Sequence, residues 1–129
     1  MSKEKIFIFD TTLRDGAQTE GVDFSLEDKK KIATLLSEIG IDYIEGGWPG
    51  ANPVDTEFFS KPLKLNKSIF TAFGMTKKSG RSAENDPSLS PLINAACPAI
   101  CVVGKSWDFH VKTALGIKNE ENLENIKET

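Results

Sequence analysis

Short apolar runs alternate with stretches of helical period along the whole chain, and that alternation leaves few architectures open. The runs at 5–9, 41–46, 68–73 and 99–103 have strand length and are bounded by turn residues. Between them, apolar residues recur at three- and four-residue spacing. Strand then helix, four times over at about 30 residues per unit, predicts βα units. The fold class expected is α/β, with four parallel strands in sequential order joined by right-handed crossovers.

Local signals place the helices. Ser25 and Asp28 have capping-box spacing, and Gly40 suits the exit of the helix between them. Ile32, Leu35, Leu36 and Ile39 predict one buried face. Asn52 reads as an N-cap, Pro53 as the first helical residue, and Val54, Phe58 and Phe59 as anchors. A third helix is expected to open at Asp86-Pro87 and bury Leu89, Leu92, Ile93 and Ala96. A fourth spans about Asp108 to Leu115, and a last one from Asn119 carries Leu123 and Ile126 inward. The long loop from Gly74 to Asn85, with Lys77, Lys78 and Arg81, reads as a solvated tip before it reads as a substrate contact.

Chemistry concentrates after the first strand. Ile6-Phe7-Ile8-Phe9 is apolar at every position, as in a strand buried on both faces. Asp10, Arg14, Asp15 and Gln18 follow within the string FDTTLRDGAQ. So many polar groups after a core strand are costly as packing alone. In parallel α/β folds the loop after a strand is where ligands sit. Asp15 is therefore a candidate carboxylate ligand for a divalent metal. Arg14 is a candidate partner for a substrate carboxylate or a developing oxyanion. A plain Arg–Asp bridge is the alternative, and the full string with Gly16 and Gln18 outweighs it.

Glu45 ends the second strand in DYIEGG, on the same face as Tyr43 and opposite Ile44. Either it binds and orients a ligand or it bonds a neighbouring arginine, and the sequence weighs the two equally. Gly46, Gly47, Pro49 and Gly50 shape a loop where backbone approaches closely. GKSW at Gly104 to Trp107 is like the end of a phosphate loop, but Ala99 stands where that motif needs glycine. His110 falls in the fourth helix, where a lone histidine is more often a packing residue than a metal ligand. Cys97 and Cys101 lack the further Cys or His of a metal site and read as two reduced, packed thiols, with Cys101 on a strand.

Composition excludes other classes. With 129 residues the chain is one small domain. A net charge of -3 implies no general attraction to nucleic acid or anionic membrane. No apolar run approaches the roughly 20 residues a bilayer span needs. The start, MSKEKIFIFD, is charged and then strand-like, unlike a signal peptide, so the cytoplasm is the expected compartment.

Four segments together resemble one family. FDTTLRDGAQ, YIEGGWPGANPVDTEFF, TAFGMT and GKSWDFHV are similar to the citramalate-synthase branch of the isopropylmalate, homocitrate and citramalate synthases, which are Claisen-condensing acyltransferases. The first string alone would indicate only the wider superfamily; Trp48-Pro49 and GKSWD narrow it. The resemblance implies a TIM barrel, a divalent metal ion (Zn, Mg or Mn) and condensation of acetyl-CoA with a 2-oxo acid, pyruvate foremost. It implies Asp15 as metal ligand and Arg14 beside the substrate carbonyl, with Gln18 and Glu45 completing the catalytic set.

The family's His-x-His metal pair has no counterpart in this sequence, which holds one histidine. Glu124 to Thr129 reads as a helix still in progress, and a full barrel takes about 200 residues or more. Residues 1–129 are thus expected to be the N-terminal part, about four βα units, of a TIM (β/α)8 catalytic domain. Alone, the chain is expected to be inactive, to bind metal weakly, and to self-associate or pair with the missing C-terminal half.

Overall fold

The computed structural model describes residues 4–129. The reading of the N-terminus lies outside them where it rests on Met1 to Lys3. Four strands, β1 (Phe9–Asp10), β2 (Tyr43–Gly47), β3 (Ile69–Met75) and β4 (Ala99–Val103), form one sheet in the order β1-β2-β3-β4. Every neighbouring pair is parallel. The helices are α1 (Leu26–Glu38), α2 (Pro53–Phe58), α3 (Ser90–Ile93), α4 (Asp108–His110) and α5 (Asn119–Glu128). The expected sequential parallel sheet is therefore present.

The core lies on the helix-covered face of the sheet. Ile44 of β2 is in register with Phe70 of β3, and Ala72 follows two positions on. Phe59 stacks on Phe70 with ring centroids 4.6 Å apart, and Phe58 meets Phe70 edge-on at 4.8 Å. Ala33 from α1 and Leu89 and Leu92 around α3 complete the cluster. Full burial of a large side chain contributes roughly 1.5–3 kcal/mol, so these aromatics are the main hold of α2 on the sheet.

The caps behave as their sequence implies. The Ser25 hydroxyl accepts the Asp28 amide while the Asp28 carboxylate accepts the Ser25 amide. Asn52 accepts the Asp55 amide at 2.8 Å, with Pro53 opening α2. Gly40 leaves α1 with φ +95, a conformation side chains rarely adopt.

Several expectations need correction. Of the first run, 5–9, only Phe9 enters the ladder, followed by Asp10, and Ile6, Phe7, Ile8 and Phe9 are all exposed. They form an open edge with β2 on one side only, and although Phe7 and Phe9 meet the Tyr43 ring, all four side chains stay exposed. On α1 the buried positions are Lys29, Ala33 and Ser37, one turn apart; Leu35 and Ile39 are exposed. Small residues let α1 lie close to the sheet, and the outer part of its apolar stripe meets no neighbouring element.

The third helix is a single turn that begins at Ser90, not at Asp86. Asp86 instead accepts the amides of Lys78 and Ser88 and the Ser88 hydroxyl, folding the loop after β3 onto itself. Burial raises its carboxyl, but those hydrogen bonds outweigh it and hold the group below the ordinary carboxylate value. Leu89 and Leu92 are buried as expected, whereas Ile93 is exposed. The fourth helix spans the expected residues, continuing from α4 as a π-helical stretch over Val111–Leu115. On α5, Leu123 and Ile126 are exposed while Asn122 and Asn125 face inward. The amides of those two asparagines donate to the Lys105 carbonyl and to Ser79 Oγ, so hydrogen bonds to the rim loops set the roll of α5.

Gly74 tests the packing. A Cβ at Gly74 would overlap the Leu92 side chain, whereas one at Gly16 would meet Thr12 at an ordinary 3.6 Å. Gly74→Ala is expected to cost about 1–3 kcal/mol, as overpacking does. Gly16→Ala should stay within about 0.5 kcal/mol. Urea midpoints of the two variants make the comparison, and equal midpoints would contradict this packing.

Candidate active site

Two strand ends build the site. After β1 the chain turns tightly, with the Thr11 carbonyl accepting the amides of Arg14, Asp15 and Gly16 at 3.2, 2.8 and 3.2 Å. Asp10 secures the turn by accepting the Thr12 amide at 2.9 Å and its hydroxyl at 3.0 Å. Leu13 is buried in the core, and the next side chain, Arg14, reaches the other face of the sheet. At the end of β2 the register slips between Glu45 and Gly47. Such a bulge re-aims a side chain and often borders a site.

Arg14 is held from three directions. Its Nε donates to Glu45 Oε2 at 2.7 Å, its Nη1 to Asp15 Oδ1 at 3.0 Å, and its guanidinium lies 4.2 Å from the Phe73 ring centroid. Trp48 meets Phe73 edge-on at 5.3 Å and closes that side. Glu45 is buried, Arg14 largely so, and Asp15 is 62% exposed. Glu45 therefore bonds its neighbouring arginine, one of the two roles its sequence position allowed. The pair is charge-assisted and fixes the guanidinium before any ligand arrives.

Cys101 sits on the same face, in register with Phe73. Burial pushes its thiol above the ordinary value, and the charge of Glu45 beside it pushes it further. Burial likewise raises Cys97. Both cysteines are free and half-buried.

Beside Arg14 a cleft of about 390 Å³ opens between the β1 loop and the start of α2. Gln18 stands on its wall from a 3-10 turn, Gly16–Gln18. Its inner wall carries two residues that sequence reasoning missed. The Lys29 ammonium, buried, pairs with Asp55 and donates to the carbonyls of Leu13 at 2.9 Å and Gly46 at 3.0 Å. Asp55 also accepts the Trp48 amide at 2.9 Å and the Asn52 side-chain amide at 3.0 Å. A Cβ on Gly47, whose φ is +153, would collide with the Asp55 carboxylate. The signal was faint: a lysine one turn before Ala33 on the sheet side of α1, and an acid three positions after an N-cap.

The structure thus brings Arg14, Asp15 and Glu45 together at one C-terminal rim, with Gln18 nearby. It leaves His110 outside, exposed and 4.5 Å from the Trp107 ring. Among the described residues, no group of three or more His, Cys, Asp or Glu stands where it could hold a metal ion. Asp15 is an accessible carboxylate and fits as one ligand; the residues around it do not complete a site. What the arrangement does offer is a prefixed guanidinium beside an open cleft, suited to a carboxylate or an oxyanion.

Comparison with known proteins bears on the family and the fold. The HMGL-like family model matches residues 5–129. The chain is 53% identical to (R)-citramalate synthase of Aquifex aeolicus over 98% of its length and 24% of the relative's. It is 35% identical to 2-isopropylmalate synthase of Sulfurisphaera tokodaii, covering 32% of that protein. It therefore spans about a quarter to a third of the curated relatives it matches. Among solved structures, HMG-CoA lyase of Bacillus subtilis superposes on 97% of the chain and 41% of its own, with TM-score 0.68 and 23% identity. The fold is thus the opening four βα units of a TIM barrel.

The Lys29–Asp55 pair is buried and fully hydrogen-bonded, so losing one partner strands the other charge. Lys29→Met or Asp55→Asn is each expected to cost about 3–5 kcal/mol in chemical unfolding. A cost below about 1 kcal/mol for both would show that the pair is incidental.

Proposed function

The chain belongs to the HMGL-like family, and from that premise we propose that it forms the N-terminal part of a catalytic barrel that condenses acetyl-CoA with a 2-oxo acid. Pyruvate, giving citramalate in branched-chain amino-acid synthesis, is the substrate this reading favours, because several relatives named (R)-citramalate synthase are 42 to 53% identical to it. The observation that carries the reading is Arg14, fixed between Glu45 and Phe73 with Asp15 beside it. A 2-isopropylmalate-type reaction with another 2-oxo acid is the second reading, supported by the relatives of that name at 32 to 35% identity.

Each residue then has a distinct task. Arg14 binds the oxo acid and steadies the negative charge that grows on its carbonyl oxygen. Glu45 orients Arg14 and keeps its charge local. Gln18 offers an amide to substrate from the cleft wall. Asp15 would supply one carboxylate to a divalent ion, Zn, Mg or Mn, whose chemistry there would be that of a Lewis acid. Among the described residues no group of three or more ligands completes that site. The cytoplasm is the compartment this chemistry suits, and no described helix is long and apolar enough to cross a membrane.

In a full-length protein carrying this segment, Asp15→Ala should remove metal and turnover together. Arg14→Ala should leave metal bound and lower turnover by about 100-fold or more. The 129-residue chain alone should release no CoA from acetyl-CoA, pyruvate and metal, since a catalytic site takes about three protein ligands. Assays across several 2-oxo acids separate the two substrate readings. CoA release by the isolated chain, or normal metal content in the Asp15→Ala protein, would contradict the assignment.

The open edge supports a further part of the reading. Ile6, Phe7, Ile8 and Phe9 on β1's side, and Ile100, Val102 and Val103 on β4, are exposed. We propose that the chain covers them by self-association or by pairing with a C-terminal half. Sedimentation should show oligomers of the isolated chain. A compact monomer at high concentration that binds no dye for apolar surface would argue against it.

A further inference from the structure

A second cleft, of about 450 Å³, lies between the loop after β3, the end of β4 and α5. Trp48 stands between it and the Arg14 cleft, lining both. Three lysines, Lys77, Lys78 and Lys105, line it, and no carboxylate residue does, in a chain whose net charge is -3. Lys77 is committed to Glu128 at 2.6 Å and to the Arg81 carbonyl at 2.8 Å. Among the described residues no ion pair engages Lys78 or Lys105. Two strand-end loops thus bring two lysines without an ion pair to the lining of one hollow.

Met75, Leu115 and Ile117 supply an apolar part of the wall, and Thr76, Ser79 and Ser88 a polar part. Leu115 belongs to the π-helical stretch, a rare winding that is frequent at functional sites. Asn122 also lines the cleft and is buried; its amide nitrogen donates to the Lys105 carbonyl at 2.8 Å. Its Oδ1 is the buried side-chain atom left without a hydrogen-bond partner among the described residues. Buried acceptors are nearly always satisfied, so the deficit calls for a water that donates one hydrogen to Oδ1 and offers the other to an anion's oxygen.

From these observations we propose that this cleft binds a small anion carrying an aliphatic body. The anionic head meets Lys78 and Lys105, and the body lies on Met75, Leu115 and Ile117. The head is a phosphate monoester or a carboxylate, which share the charge that the lysines recognise. The proposal uses no reading of the Arg14 cleft and stands if that reading fails.

Calorimetric titration of the full 129-residue chain with butyl phosphate, butyrate, butanol and inorganic phosphate tests it. One of the two butyl anions should bind saturably at one site per chain, and the better of them names the head group. Butanol and inorganic phosphate should bind at least tenfold more weakly. Lys78→Ala/Lys105→Ala should weaken the better anion at least tenfold, while Lys64→Ala/Lys67→Ala, elsewhere on the surface, should not change it. If the first double variant fails to fold by circular dichroism, Lys78→Gln and Lys105→Gln singly should each weaken binding at least threefold. Butanol binding as tightly as the anions, equal loss in the Lys64/Lys67 variant, or no saturable binding by either anion would overturn the proposal.

Discussion

The Lys29 ammonium ties together pieces that the backbone alone would leave loose. It joins α1 to the β1 loop through Leu13, to the end of β2 through Gly46, and to α2 through Asp55. Each of its three donors has an acceptor, which is the condition under which a buried charge is tolerable. Asp55 in turn holds the Trp48 amide, so the loop after β2 hangs from the same point. Leu13 immediately precedes Arg14. The position of the guanidinium therefore depends on an ion pair set in the inner wall of the cleft.

The two faces of the sheet divide the labour. Ile44, Phe70 and Ala72 pack against helices and supply stability. Glu45, Phe73 and Cys101 face the other way, and there the polar chemistry gathers. Strand alternation makes this division automatic: once Ile44 is committed to the core, Glu45 is committed to the site. The Glu45–Arg14 bond then solves two problems, since it satisfies a buried carboxylate and immobilises the arginine.

The sequence made the sheet order, the α1 and α2 caps and the meeting of Arg14, Asp15 and Glu45 legible, because each follows from local chemistry or from period-two alternation. Three things were hidden for physical reasons. The exposure of Ile6 to Phe9 depends on which neighbours the sheet has, and apolar runs look alike whether or not something covers them. The inward turn of Asn122 and Asn125 on α5 was set by carbonyl and hydroxyl partners 17 and 46 residues away, against the helix's own apolar stripe. Lys29 and Asp55 were passed over because buried lysine is rare, and pairing across 26 residues leaves no local trace.

The central claim is that the Lys29 hub holds Arg14 against Glu45. Nitrogen-15 NMR of the arginine Nε–H groups tests it most directly, comparing the wild-type chain with Lys29→Met under conditions where both are folded. The account predicts that Arg14 shows a displaced, slowly exchanging Nε–H signal in the wild type. In Lys29→Met that signal should move to the free-arginine position and exchange rapidly. An Arg14 signal unchanged by the substitution would contradict it.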